Sequence, residues 1–384
     1  MNERLESLDV LRGMDMIWIM GLSDLVRRLC DFCGWGSNCF LALQMRHVTW
    51  HGLAFIDTVF PLFLFIAGLT FPFSYAKKVA RGMSAGRIRL DILRRVAILF
   101  VLGLVYNDLL QWDLRLGSVL GRIGIAWGVA ALLYMVWGWK RRLAAVVAIL
   151  IAYWMLICLV TAPDSLAVAM PKGFEEWGRG SYSVVGNISG WIDRHFVPGR
   201  FRTNGGACDS QGVLGHVPAV ATALLGMFCG EFVRKMRGKM SGDRQVLWML
   251  GWAAAELAGG LLVAFGFGEA SFPVNKKLWS SSFVLVVGAY STAAFALVYW
   301  LVDVRKLWRR TLFFKVIGMN AITIYMAQAV FDLHKVTDFF FGGLVGFCNE
   351  SVPKLGPVVH CAGYVALCWL ILYFLYRRKI FLKV

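Results

Sequence analysis

The sequence predicts an all-α protein: a polytopic transmembrane helical bundle of about ten spans, with both termini cytoplasmic. Three observations carry this expectation. Of 384 residues, 59% are hydrophobic and 16% charged, and the mean hydropathy is +0.64, more apolar than a soluble domain tolerates on its surface. Apolar stretches of the ~20 residues that cross a bilayer recur along the chain. Basic clusters follow every second stretch.

The stretches lie near 9–26, 53–76, 91–111, 118–138, 143–162, 213–233, 245–268, 280–302, 311–331 and 357–376. Phe339 to Phe347 is apolar but too short to span, and reads as interfacial. Lys77, Lys78, Arg81, Arg87 and Arg89 follow the second stretch, Lys140 to Arg142 the fourth, and Arg234, Lys235, Arg237, Lys239 and Arg244 the sixth. Arg305, Lys306, Arg309 and Arg310 follow the eighth, and Arg377, Arg378 and Lys379 the last. The positive-inside rule then puts these connections and both termini in the cytoplasm, and 27–52, 112–117, 163–212, 269–279 and 332–356 outside. Arg27 and Arg28 fall on the wrong side, but five clusters outweigh one pair.

A net charge of +17 held mainly in short loops beside spans is accounted for by orientation and anionic lipid headgroups, which argues against a nucleic-acid partner. Residues 1–9 carry Glu3, Glu6 and Asp9 and lack a signal-peptide layout, so the first span is expected to be retained. No soluble second domain or repeat stands out, so 1–384 reads as a single transmembrane domain. Its long outer loop, 163–212, has the length and aromatic content of a segment that covers a substrate pocket. Of nine cysteines, Cys30, Cys33, Cys39, Cys208 and Cys348 fall outside, where disulfides are favoured; Cys30 and Cys33 have redox-motif spacing without a thioredoxin-like pattern, so a structural bridge is expected.

Ionisable groups beside hydrocarbon are costly and mark candidate sites. Arg12 and Asp15, three residues apart, share a helix face where they can neutralise each other. His47 and His51 bracket Trp50 in the outer loop, and Asp57 follows one turn into the next helix. An imidazole accepts a proton near neutral pH, and a carboxylate behind it fixes its tautomer and raises its basicity. Arg122, His216, Glu256 and Asn320 also interrupt apolar stretches and should face a cavity or a partner, an arginine in the case of Glu256. Arg122 and His216 share the outer face with His47, so one pocket can hold all three. No GxxxxGK[ST], HExxH or CxxC…CxxC pattern supports ATP-driven or metal chemistry.

Several blocks resemble the heparan-α-glucosaminide N-acetyltransferase family and its bacterial relatives in the transmembrane acyltransferase superfamily. They are Ser7–Gly13; His47–Gly52 followed by Asp57, Phe60, Pro61, Phe63, Phe65 and Gly68; Leu114–Leu116 with Val119–Arg122; Asp209–Leu214 with Pro218 and Gly226; Asn275–Phe283; and Gly318–Ala321. Their common order over most of the chain is more specific than any single block. The resemblance implies that an acetyl group from cytosolic acetyl-CoA reaches the amine of a terminal glucosamine across the membrane, with His47 as the active histidine. Where relatives place an asparagine at the end of the first helix, this chain offers Ser23 and Asp24.

On this reading His47, Asp57 and His51 are the catalytic candidates. Arg12, Asp15, Ser23, Asp24, Arg122, Asp209, Asn275, Lys276, Trp279 and Asn320 are candidates for substrate binding, and Lys77, Lys78 and Arg234 for the phosphates of CoA. The expected partners are membrane lipids, an amino sugar or glycan, and a second copy in a homodimer; the expected site is a bacterial inner membrane. The rival readings are a permease for sugars or sugar fragments, with Arg12, Asp15 and Glu256 along its pathway, and an O-acetyltransferase of an envelope polysaccharide.

Overall fold

The computed structural model describes residues 5–107, 114–199, 201 and 204–382. Glu3, the last four residues of the stretch 91–111, the start of the loop 112–117, and residues 200, 202 and 203 of the long loop lie outside them. Among the described residues the regular structure is helical, with two isolated bridges, Thr161 to Asn187 and Arg237 to Met240, in place of strands. The chain forms two units. The first is built from the chain up to Val48, Ala54–Val59 and the chain from Leu297 onward; the second from Thr49–Leu53 and Phe60–Ala296.

The first unit opens with α1 (Glu6–Ile17), a π turn (Trp18–Leu22), α2 (Ser23–Phe32) and the short α3 (Phe40–Gln44). α1 has no side-chain cap of its own. Asp303 supplies one, accepting the backbone N–H groups of Glu6 and Ser7 at 3.2 and 3.1 Å. Gly21, at φ +128°, lies in the π turn that separates α1 from α2, a conformation open to a residue without Cβ. α4 (Phe55–Ala80) starts in the first unit and continues into the second, carrying Pro61 and Pro72.

The second unit holds α5 (Ala85–Tyr106), α6 (Val119–Val136), α7 (Trp139–Leu159), α8 (Ile188–Phe196), α9 (His216–Met236), α10 (Gly242–Phe265) and all but the last three residues of α11 (Ser281–Tyr299). The chain then returns to the first unit as α12 (Leu312–Met319), α13 (Ala321–Val330), α14 (Leu333–Ser351) and α15 (Leu355–Arg377).

Among the described residues seven helices are long and apolar enough to cross a bilayer: α4, α6, α7, α9, α10, α11 with its π extension to Val304, and α15. The pair α12 and α13, bent by 64° at Asn320, makes an eighth if counted as one broken span. The two further stretches read from the sequence are helical but different in kind. The first is broken around Gly21, and α5 carries Arg87, Arg89, Asp91, Arg94 and Arg95 over its opening turns. Phe339 to Phe347, expected to be too short to span, lies in the middle of the 19-residue α14, which is not among the helices apolar enough to cross.

Glycines set the closest helix contacts. A Cβ at Gly68 would collide with the Ala223 carbonyl, one at Gly226 with that of Phe65, and one at Gly230 with that of Leu69. α4 and α9 therefore touch backbone to backbone and run in the same direction. Gly226 and Gly230 form the small-xxx-small spacing that suits helices in lipid. In the first unit Gly13 lies against the Phe314 carbonyl and Gly318 against that of Asp9, joining α1 to α12.

Three local expectations change. Arg12 lies 3.8 Å from Asp9, while Asp15 is buried with Oδ2 unpartnered; both acids sit three residues from the arginine, and the pair with the acid on the N-terminal side forms. Glu256 is met by the Thr292 hydroxyl at 3.3 Å rather than by an arginine. None of the nine cysteines is in a disulfide: Cys30 is buried while Cys33 is exposed, and the Cys39 sulfur accepts the Ala42 N–H as the cap of α3.

Replacing Gly226 by Val should lower the apparent Tm of detergent-solubilised protein and cost about 1–3 kcal/mol or more through overpacking. Gly251→Ala, in α10 with open space around it, should be neutral or stabilising by up to ~1 kcal/mol. Equal melting of the two variants would contradict the contact.

Candidate active site

The first cluster lies at the start of α4. Asp57 is its third residue, 1% exposed at the side chain, and its Oδ2 accepts the backbone N–H groups of Val48 (3.3 Å) and Ala54 (3.2 Å). The bond to Ala54 is the reach-back of a capping box, and a carboxylate suits the positive end of a helix. Gln44 caps the same turn, its Oε1 accepting the Phe55 N–H at 2.8 Å. Trp18 and Val48 pack on Ala54, Ile56 and Val59, fixing the angle at which the loop enters the helix.

The other oxygen of Asp57 lies 2.7 Å from His47 Nδ1. A carboxylate only accepts, so Nδ1 carries the proton and the lone pair of the neutral ring is on Nε2. The His47 side chain is 62% exposed. This half of the arrangement is an acid–imidazole pair: an anchored carboxylate and a ring oriented by it.

The second cluster lies in the second unit, where Thr49–Leu53 is pinned to the segment before α11. Gly52 donates its N–H to the Val274 carbonyl at 2.8 Å, and Lys277 Nζ reaches the Thr49 carbonyl at 2.5 Å. Trp50 is fully buried, its indole N–H donated to the Tyr182 carbonyl at 2.7 Å. Asn275 Oδ1 accepts the N–H groups of Lys277 (2.8 Å) and Leu278 (2.9 Å), which fixes the orientation of its amide. Its Nδ2 then donates to His51 Nδ1 at 3.2 Å, leaving the ring proton on Nε2. Burial lowers the His51 pKa to about 4. His51 is thus a neutral hydrogen-bond donor at physiological pH, in contrast to the accepting nitrogen of His47.

Trp279 holds a left-handed backbone at φ +56°, an arrangement that costs of order 1–3 kcal/mol outside glycine and gathers at functional sites. Its indole N–H meets the Thr222 hydroxyl at 3.2 Å, and the guanidinium of Arg122 lies 5.1 Å from the centre of its ring. Arg122 is buried and donates to the Gly212 carbonyl at 3.1 Å; its Nε and Nη1 have no hydrogen-bond partner. Asp209 is engaged by Arg115 through two bonds of 2.9 and 2.5 Å. His216 points Nδ1 at the Gly212 and Val213 carbonyls at 3.0 and 3.1 Å. Tyr153 donates its hydroxyl to the Leu278 carbonyl at 2.6 Å.

The long loop folds onto this cluster. Phe174, Val184, Val185, Ile188, Ala207 and Cys208 share a core with Trp50 and Tyr153, and the Trp177 ring meets His51 edge-on at 6.3 Å. Arg194 ties the loop to itself through Asp164, at 3.0 and 2.6 Å, which holds the Asp164 carboxyl below its ordinary range. Asp193, in α8, accepts the Val213 N–H at 3.0 Å, and burial pushes its pKa up to about 6.

The structure therefore joins His47 to Asp57 within the first unit, and His51, Asn275, Trp279, Arg122 and Asp209 within the second. Lys276 is partly buried in the same turn as Asn275. In the first unit, Ser23 donates its hydroxyl to the Trp18 carbonyl at 3.0 Å, closing the π turn; Asp24 pairs with Arg27; and Asn320 is buried at the bend between α12 and α13 with both amide atoms unpartnered. Lys78 Nζ is engaged by Asp91 at 2.7 Å, Lys77 is exposed, and Arg234 lies beside Tyr134. The shared direction of α4 and α9 puts these three cations toward one end of the second unit. Sequence reasoning overlooked Arg115, although it sits in a quoted block, and Asp193, whose position in a long loop gave no signal.

The human heparan-alpha-glucosaminide N-acetyltransferase is 27% identical over 99% of this chain, and the mouse protein of that name 26% identical over 99%. Over nearly all of its length the chain is similar to these acetyltransferases. It spans about 60% of the length of either relative. No protein-family profile matches it. The resemblance carried by short blocks is thus supported by similarity running end to end, across both histidine clusters.

His51 binds fewer protons in the folded than in the unfolded chain between about pH 4 and the ordinary histidine value of 6.5. Its contribution to stability is complete above that range and is lost as pH falls towards 4. In protein with labelled histidines, the His51 resonance should not move between pH 8 and 5. A midpoint near 6.5 would refute the buried, neutral ring.

Proposed function

We propose that the chain is a multi-pass enzyme of a bacterial inner membrane that transfers an acetyl group from cytosolic acetyl-CoA to the amine of an amino sugar or glycan at the extracytoplasmic face. The observation that carries this reading is the His47–Asp57 pair, with the imidazole oriented by the carboxylate through Nδ1, in a chain similar throughout to N-acetyltransferases.

The residues supply the proton handling that such a transfer needs. A glucosamine ammonium cannot attack a thioester until it loses a proton, and His47 Nε2 accepts it while Asp57 stabilises the resulting imidazolium. The freed amine forms the C–N bond at the thioester carbonyl, the C–S bond breaks, the leaving CoA thiolate takes up the second proton that the nitrogen sheds on becoming an amide, and His47 releases the first to water. The same nitrogen is equally the nucleophile of a two-step route, in which the acetyl group rests on His47 before reaching the amine. A gain of one acetyl mass on the protein after incubation with acetyl-CoA alone distinguishes the second route from the first. His51, neutral and donating, suits binding of a carbonyl or hydroxyl oxygen. Lys77, Lys78 and Arg234 remain the candidates for the CoA phosphates.

One observation favours a second reading, that of a permease. The first unit has two interrupted helices, at Gly21 and at Asn320, and buried polar atoms of Asp15, Asn320 and Thr323 without hydrogen-bond partners, features found where transporters bind ions and substrates. The acetyltransferase reading takes precedence because the similarity runs over the whole chain. Uptake of labelled glucosamine into proteoliposomes without acetylation would favour the permease.

Purified protein given labelled acetyl-CoA should acetylate an acceptor from a panel of glucosamine-containing sugars, and His47→Ala should abolish the transfer without altering gel-filtration behaviour. Asp57→Asn should lower kcat by about 10²–10⁴. Undiminished transfer by His47→Ala would refute the assigned base, and label found only on hydroxyls would identify an O-acetyltransferase.

A further inference from the structure

The second unit contains a cavity of about 680 Å³ that the proposed chemistry does not use. Its walls are α7, α9, α10 and α11, and it runs from Trp139, Lys235 and Met236 at one end to Trp154 and Val263 at the other. The fifteen residues of α7 between Trp139 and Trp154 rise about 22 Å, more than one leaflet of hydrocarbon, which is about 15 Å deep. Between the ends the lining is almost wholly apolar, interrupted by Glu256 and its partner Thr292.

The walls open towards hydrocarbon. Only 28% of the apolar window of α7 and 22% of that of α10 are buried inside the protein, so both helices present most of their surface to lipid. One end of the cavity is charged. Arg142, 2% exposed, holds Glu231 at 2.5 Å, and Lys235 holds the other oxygen of Glu231 at 2.6 Å. Two cations share one carboxylate, so this end carries an excess positive charge. The Arg142 guanidinium lies outside the cavity lining, 4.2 Å from the Tyr134 ring and 5.4 Å from that of Phe228, and Lys235 is the cation on the cavity wall. An excess of positive charge at the end of an apolar groove attracts an anionic headgroup.

We propose that this groove is a binding site for an anionic membrane phospholipid, with an acyl chain between α7 and α10 and its phosphate at Lys235. The occupant combines the two chemistries that the groove offers, a long apolar channel and a cationic mouth. Lipid held there fills the gap between α10 and the rest of the unit.

Full-length protein extracted with its lipids and stripped with increasing detergent tests this by native mass spectrometry, with phosphatidylglycerol and phosphatidylcholine as added probes. The wild type should keep one phosphatidylglycerol under conditions that remove phosphatidylcholine. Lys235→Gln should reduce that retention about fivefold, the worth of one cation at an anionic headgroup. Ala255→Phe, which fills the groove, should abolish it. Should Ala255→Phe fail to fold, quenching of Trp252 by phosphatidylglycerol brominated in its acyl chains, read as the difference between wild type and Trp252→Phe, reports the same contact. Equal retention of the two lipids, retention undiminished in Ala255→Phe, no quenching at Trp252, or preferential capture of a prenyl phosphate would each overturn the assignment.

Discussion

Helices immersed in lipid gain no hydrophobic driving force from meeting one another, so they hold together where their backbones come within van der Waals range. The crossings at Gly68, Gly226 and Gly230, and at Gly13 and Gly318, are such places. They fix the direction of α9 beside α4 and of α12 beside α1, and the functional side chains are placed by what these helices carry at their ends. The start of α4 presents Asp57, the start of α9 presents His216, and the far ends of both carry the lysines and arginines. A methyl group at any of these glycines would displace carbonyls, and with them the turns on which the candidate residues sit.

The two histidines illustrate how surroundings divide the labour of identical side chains. Each ring is oriented through Nδ1, but by opposite partners: an accepting carboxylate for His47 and a donating amide for His51. One ring keeps its lone pair on Nε2, the other its proton there, beside Trp50 and Trp177. The identity of the neighbouring group, Asp57 or Asn275, decides which ring can take up a proton.

Much of the fold was legible because span-length apolar runs are a strong signal. The stretch read at 118–138 is α6 over Val119–Val136, and the one at 357–376 is α15 over Leu355–Arg377. The bend at Asn320 was not, because the apolar composition continues through it; nor was the break at Gly21, where a single glycine interrupts an ordinary run. That Asp57 orients a histidine of the preceding loop could be read from spacing, since a carboxylate in the first turn of a helix is held close to the loop that leads into it; the choice of His47 over His51 came from the family resemblance. The choice of Asp9 over Asp15 by Arg12 could not be read, as both lie three residues away. Contacts of Asn275 with His51, or of Arg115 with Asp209, join residues about a hundred or more apart, and no local pattern encodes them.

The carboxylate of Asp57 performs two duties with two oxygens, one closing the first turn of α4 and one steering an imidazole. Neither oxygen is spare. A shorter or uncharged side chain there would loosen the helix and the ring together, and a glutamate would put its extra methylene where the loop backbone already lies. Local folding and proton handling at this corner therefore share a single point of failure, which leaves the position far less freedom to drift than its place at the edge of a loop would suggest.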